Sequence, residues 1–308
     1  MTLWRSLLGA LVAVMLWLPA AGAVDIKPVT TPLGLTAWLV QDKSAPVVSL
    51  AFSFAGGAAS DPRGQSGVTN LMATLLTDGA GPLAFQAFQR RQEDAAASLG
   101  FSASLDRLGG TLRVLSANRE EGFELLRLAL TQPRFDADMV DQRRAQIVAA
   151  LNQARERPAS VAARTLMATE FAGHPYANDR DGTADDLKTV TPQILKQRAG
   201  ALLMRSGLIV AAVGDIDEAE LGRLLDRAFG SLPLGTPLAL SLDSSSAVAS
   251  LLHSMQVDNL PPDHLTRRAN LIGAVKIDDV RRIARRLLPD EAATTVVVGK
   301  PVGITVDP

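Results

Sequence analysis

Cysteine is absent from this 308-residue chain, and histidine occurs only three times. Without thiols, a disulfide scaffold, a zinc finger and a cysteine nucleophile are excluded. Any zinc site would have to draw on His174, His253, His264 and carboxylates. Neither sign of charge prevails: 31 Lys and Arg face 32 Asp and Glu, a net charge of -1. The chain therefore lacks the surplus of positive charge that displaces counterions from a phosphate backbone, and no nucleic-acid partner is expected. No apolar run reaches the roughly 20 residues that cross a bilayer. By length alone, about two domains are expected.

What is present begins with a compact amino-terminal signal. Met1–Arg5 carries one positive charge, Ser6–Leu18 is apolar, Pro19 follows, and Ala21-Gly22-Ala23 supplies small residues at a cleavable spacing. This is the layout of a secretory signal peptide over residues 1–23. Its apolar part is too short for a stable anchor. Cleavage after Ala23 and a periplasmic or secreted location are expected. The lack of cysteine is compatible with such a compartment but does not establish it.

Leu33–Val40 and Val47–Phe54 read as strands, closed by Gly56-Gly57. Over Ser66–Thr77, Val68, Leu71, Met72, Leu75 and Leu76 recur at the spacing of one buried helix stripe. A second helix is expected over Leu83–Leu99. A hairpin is expected from Phe101–Leu108 and Thr111–Ser116, turning at Gly109-Gly110. Helices follow at about Arg119–Thr131, Asp136–Glu156, Ser160–Phe171 and Pro192–Ala201, with a long polar loop over Gly173–Thr183. Gly207–Val213 is an apolar strand, and Asp217 is placed to cap a helix over Glu218–Phe229. Residues 233–237 read as a linker. Helices at Ser244–Val257, Pro262–Ile272 and Asp278–Leu288 and a strand at Thr294–Val298 complete the chain. Strands, helices, hairpin, helices, strand, helix is an α+β order.

The local motifs give little chemistry. Gly64-Gln65-Ser66-Gly67 lacks the glycine two residues after serine that a nucleophile elbow needs, because Val68 stands there. The surrounding glycines fit neither a dinucleotide loop nor a P-loop. His174, between Gly173 and Pro175, reads as a solvated or hydrogen-bonding loop residue. His253 and His264 have no helical ligand spacing. Arg281, Arg282, Arg285 and Arg286 read as a solvated helix face.

Taken in order, however, several stretches resemble the insulinase/pitrilysin type of zinc peptidase. They are FSFAGGAASDPRGQSGVTNLMATLLTDGAG from Phe52 to Gly81, Pro133-Arg134-Phe135, His174-Pro175-Tyr176 leading to Gly182, Gly207–Gly214, and Val296–Pro301. The resemblance implies a two-layer α+β sandwich, with a mixed or antiparallel sheet carrying helices on one face. It also implies an insulinase-like domain over residues 24–232 and the remnant of a second such domain over 238–308. Active members carry His-x-x-Glu-His on the first helix and a further Glu on a later one. Aligned through Gly67 and Gly79-Ala80-Gly81, those positions hold Asn70, Ala73 and Thr74, and the later Glu falls near Ile147–Leu151, at Ala150.

Asn, Ala and Thr supply neither imidazole nor carboxylate, so the resemblance implies a member with no catalytic residue and no metal or cofactor of its own. It is similar to the non-catalytic partners of paired family members such as the mitochondrial processing peptidase. Its implied partner is a sister subunit that carries the zinc, with a peptide substrate in a shared chamber. The Arg and Tyr that bacterial inactive partners contribute from their second domain have no counterpart here, since Tyr176 is the only tyrosine and lies in the first domain. Two other readings stay open: an active enzyme with substitute ligands such as Glu170 and His174, and a stand-alone scaffold or non-functional truncated homologue.

Overall fold

A computed structural model describes residues 25–235 and 274–287, together with residues 267 and 298. The residues expected to form the signal peptide, the helices at Ser244–Val257 and Pro262–Ile272 and the strand at Thr294–Val298 lie outside the described residues, those two single positions apart.

Six strands make one mixed sheet: β1 (Lys27–Thr30), β2 (Thr36–Gln41), β3 (Val47–Ala55), β6 (Ser98–Ala103), β7 (Arg107–Leu115) and β8 (Ile209–Gly214). Their spatial order is β1-β2-β8-β3-β7-β6, and only β2 and β8 run parallel. A short ribbon pairs β4 (Gly79–Ala80) with β5 (Leu83–Ala84). Helices α1 (Val68–Leu75), α2 (Phe85–Asp94), α3 (Arg119–Thr131), α4 (Ala137–Arg155), α5 (Pro158–Glu170), α6 (Ala184–Thr189), α7 (Pro192–Leu202) and α8 (Glu218–Phe229) complete this body, and α9 (Ile277–Leu287) follows.

Side chains of a strand alternate between faces, so each strand's apolar set declares which face is buried. Val48, Leu50, Phe52 and Phe54 of β3 point into the core, as do Val210 and Ala212 of β8. Val68, Leu71, Met72 and Leu75 of α1 and Leu221, Leu224, Leu225 and Phe229 of α8 cover them. The Phe52 and Phe229 rings meet edge to face at 5.3 Å. That is the geometry in which a positive ring edge meets a negative face. Helices are thus packed on one face of a mixed sheet, the α+β sandwich expected from the sequence.

The structure corrects two boundaries and adds a strand. The hairpin turns at residues 104–106, and Gly109 and Gly110 lie inside β7. Glycine is needed there for packing: a Cβ on Gly110 would overlap the Phe52 ring. The helix expected over Leu83–Leu99 ends at Asp94, and Leu99 belongs to β6. Gln92 makes this switch by accepting the Leu99 N–H at 3.2 Å. Strand β1 is an additional element, since Lys27–Thr30 is too short and too polar to show an alternation.

Candidate functional site

Helix α1 is held at its start by a buried ion pair. Asp61 and Arg198 lie 3.2 Å apart, both nearly sealed from solvent. Asp61 accepts hydrogen bonds from the Gly67 N–H at 2.8 Å and the Thr69 hydroxyl. A carboxylate there satisfies the free N–H groups of a helix start and complements its dipole. Arg198 donates to Thr69 Oγ1 at 2.7 Å, to the Gly57 carbonyl at 3.0 Å and to Ser60 Oγ at 2.7 Å. Burial pushes the Asp61 carboxyl up, against the Thr69 bond, the Arg198 charge and the Gly67 bond. Burial also lowers the Arg198 guanidinium, against Asp61.

Beside α1 the loop 178–182 comes so close that two glycines interlock. A Cβ on Gly182 would overlap the Ser66 carbonyl, and one on Gly67 would lie 2.6 Å from the Asp181 carbonyl. Both residues have positive φ, which only glycine adopts freely. This contact carries Asp181 to Asn70, whose Nδ2 donates to Asp181 Oδ1 at 3.2 Å.

Asn70, the loop and the inner side of α4 and α5 enclose an open cavity of about 770 Å³. Ile147, Ala150, Leu151 and Met167 give it an apolar wall. Its rim carries two ion pairs: Arg164 Nε to Asp179 Oδ2 at 2.8 Å, and Arg180 Nε to Asp181 Oδ1 at 2.9 Å. Tyr176 also lines the cavity and donates its hydroxyl to Asp106 at 2.8 Å. That bond holds the phenol proton and pushes its pKa up.

The four positions singled out in the sequence separate here. Asn70 and Ala150 line the same cavity from α1 and α4. Ala73 is buried in the core. Thr74 is half-buried and donates its hydroxyl to the Leu71 carbonyl at 2.8 Å, one turn back along its own helix. This donor set does not fit zinc. An amide, a methyl and a hydroxyl already bonded to the helix offer no imidazole and no carboxylate. Among the described residues, no three His, Asp or Glu side chains gather where a metal could be held.

The suggested substitute ligands, Glu170 and His174, belong to no group of three or more metal-binding side chains among the described residues. Glu170 closes α5, while exposed His174 turns its Nδ1 to accept the Tyr176 N–H at 3.2 Å. Its ring packs on Phe171 and Tyr176.

Sequence reasoning missed the rim residues Arg164, Asp179, Arg180 and Asp181. Gly182 after Asn178-Asp179-Arg180-Asp181 was the available signal, because a glycine ending a polar turn marks a close backbone approach.

Comparison with known proteins agrees with this architecture. The family model described as insulinase (peptidase family M16) matches residues 36–184. A protein of Helicobacter pylori named "Non-peptidase homolog YmxG" is 28% identical over 190 residues, 62% of this chain and 44% of that protein. The Arabidopsis thaliana protein named "Probable mitochondrial-processing peptidase subunit beta, mitochondrial" is 20% identical over 242 residues, 78% of this chain and 45% of that one. A crystal structure from Pseudomonas fluorescens, described as a peptidase M16 inactive domain, superposes with a TM-score of 0.66 at 26% identity. That match covers 70% of this chain and 53% of the other. The chain spans less than half the length of these two curated relatives.

Proposed function

Because residues 36–184 are an insulinase-type domain of peptidase family M16, we propose that the chain is an exported, catalytically inactive homologue that pairs with a zinc-bearing sister subunit. In this reading it forms one wall of a chamber that holds an extended peptide. The observation that carries the reading is the composition of the cavity. Asn70 and Ala150 face it, Ala73 is sealed in the core and Thr74 is bonded to its own helix. Water activation by a metal needs ligands and a base at those positions, and none is available.

The relatives support the inactive reading, since one is named a non-peptidase homologue and another an inactive domain. The similarity to a processing-peptidase subunit supports pairing. Export rests on the residue 1–23 pattern. The open cavity, with an apolar wall and a polar rim, suits an unfolded peptide segment better than a small compact ligand.

The test uses purified full-length protein. It is expected to bind no stoichiometric zinc by elemental analysis and to cleave no peptide alone. It should also co-purify with a family member that carries His-x-x-Glu-His and raise that member's peptide turnover. Chelator-sensitive cleavage by this chain alone, abolished in a His174→Ala variant, would overturn the reading.

A further inference from the structure

Helix α5 is the least secured element of the cavity wall. None of its 13 residues is buried. A helix in a folded domain normally owes its stability to an apolar face sealed against a neighbour. The helicity of α5 comes instead from its own sequence. Ala159, Ala162, Ala163 and Ala168 are strong helix formers, and Pro158 stands in the first turn, where its missing N–H costs nothing. This is a helix that keeps its shape without being fixed in place.

The hold on the wall is uneven along the chain. The first half of α4 is anchored, with Met139 and Val140 buried. There Arg143 donates to both carboxylate oxygens of the sealed Asp78 at 2.6 and 2.8 Å, and Arg144 donates to the Val190 carbonyl at 2.7 Å. Beyond Arg144, Leu151 is the only buried side chain of the two helices. Among the described residues, Arg164–Asp179 is the one ion pair that ties residues 145–170 to another element. Its two side chains are 36% and 22% exposed, and an ion pair this open to water is a weak tether.

Both ends of α5 are built to bend. Glu156 and Arg157 separate it from α4, and their N–H groups reach the Gln153 and Ala154 carbonyls at 3.2 and 3.3 Å, long for such bonds. At the far end Gly173 has a φ of +79°, and a side chain there would meet nothing within 4 Å. Past this glycine Tyr176 is bonded to Asp106, so the turn Pro175–Ala177 belongs to the β6–β7 hairpin. Only the edge contact of the Phe171 and Tyr176 rings, at 5.5 Å, spans the glycine, and Phe171 is half open to water. Elements with so little buried surface open at low free-energy cost, and they pivot at their ends.

We propose that α5 is a movable wall of the cavity, swinging away from Asp179 about residues 156–157 and Gly173 to admit a chain, with Arg164 as the latch that closes it. Ala163 and Met167 move with the helix, while Asn70, Ile147 and Ala150 stay with the frame. The width of the cavity is then set by its occupant. The admitted chain is the peptide of the functional reading above, on which that part of the inference rests. The motion itself is a property of the free protein.

Two measurements on the full chain test it. The chain has no cysteine, so paired nitroxide labels can be placed without competing thiols. Leu166→Cys on α5 with Lys196→Cys on α7 reads the distance from wall to frame, and Gln142→Cys with Lys196→Cys does the same for the anchored half of α4. The 166–196 distribution is expected to be severalfold broader than the 142–196 one. An excess of an unstructured Leu-Ser-Gly repeat peptide should narrow it. Arg164→Gln should broaden it further and leave the 142–196 pair unchanged. A 166–196 distribution in the free chain as narrow as the 142–196 one would overturn the movable wall, and an unchanged width in Arg164→Gln would overturn the latch. A broad distribution indifferent to the peptide would uphold the motion and count against the peptide reading, so the two failures are distinguishable.

The second measurement needs no substitution and stays informative if the labels disturb the fold. Hydrogen exchange of the unmodified chain should show the amides of α5 exchanging about 100-fold or more faster than those of the buried helix α1, with α4 divided between a protected first half and a faster second half. Equal protection of α5 and α1 would overturn the proposal.

Discussion

Two sets of Arg–Asp pairs flank helix α1, and they sit in different surroundings. Arg198 and Asp61 are buried, share four further hydrogen-bonding groups and fix where the helix begins. Arg164–Asp179 and Arg180–Asp181 stand half-exposed on the cavity rim, each with water as an alternative partner. The scaffold that positions α1 is complete, while the side chains that α1 presents to the cavity are chemically bland. A complete frame around an opening that presents no zinc ligand is the observation on which the proposed non-catalytic reading rests. Perturbing the two sets should therefore have unequal consequences.

The largest effect is expected from Arg198→Ala. It strands the Asp61 carboxylate in the interior, together with the Gly57 carbonyl and Ser60 hydroxyl that Arg198 serves. Removing one member of a buried pair costs about 3–5 kcal/mol. Urea unfolding should show a loss of that order, and a loss below about 1 kcal/mol would mean that water enters the cluster freely. Arg198→Ala with Asp61→Asn should recover part of it, because no charge is then left unpaired.

Next comes Ala73→Glu, which places an acid at the position that the family resemblance assigns to the catalytic Glu. Ala73 packs in the core, so the new carboxyl lacks both a metal and a solvent shell. The expected cost is about 2–3 kcal/mol at neutral pH. Burial should raise the folded-state pKa of that carboxyl. The folded state then holds its proton longer than the unfolded chain, so the deficit grows as pH rises above the ordinary carboxylate range and shrinks below it. A pH-independent deficit would show that the side chain escapes into the cavity.

How much of this could be read in advance depends on the physical range of each signal. The α1 stripe, the Asp217 cap and the inward set of β3 are local periodicities, and they stand where the sequence places them. Gly109-Gly110 misled because a glycine pair in a turn and a glycine pair under an aromatic ring look alike until Phe52, more than fifty residues away, is placed over Gly110. The cavity rim was invisible for a similar reason. Asp181 matters because Gly67 and Gly182 bring two loops into contact, and neither glycine names its partner. Asn70, Ala73, Thr74 and Ala150 were singled out only against the pattern of a family, as an expectation of where its ligands would stand. Their unequal fates, two on the cavity, one in the core and one bonded to its own helix, needed coordinates.

A third, smaller effect concerns the contact between α3 and α8. Glu120 pairs with Arg223 and Arg227, and Glu124 is bonded by Arg127 at 2.7 Å and Arg227 at 3.2 Å. The Arg127 hydrogen bond holds the Glu124 carboxyl below its ordinary value, and Arg223 does the same for Glu120. A lowered carboxylate stabilises the fold above its unfolded pKa of 4.5 and loses that stabilisation as pH falls through and below that value. Thermal unfolding followed from pH 7 down should therefore weaken in acid, and Glu124→Gln should flatten part of the slope. Because the arginines are half in solvent, the contribution at pH 7 is about 1 kcal/mol or less. An unchanged slope in the variant would remove this network from the account of acid sensitivity.

The smallest effect is expected where the opening comparison is most exposed to test, at Arg164→Gln. Its partner Asp179 is only partly buried, and glutamine can still donate one hydrogen bond. A pair of this kind contributes about 0–1 kcal/mol and is screened by salt. Chemical unfolding should thus separate Arg164→Gln from Arg198→Ala by several kcal/mol, and added salt should erase the small deficit of the former while leaving the latter intact. If the rim is part of a peptide-holding wall, the same variant should weaken capture of a fluorescent unfolded peptide by the paired complex. Stability would then be nearly unchanged while binding falls, a split that a purely structural role for Arg164 does not produce. Equal destabilisation by the two variants would mean that the rim belongs to the scaffold and that the cavity is only a by-product of how α4 and α5 meet the loop.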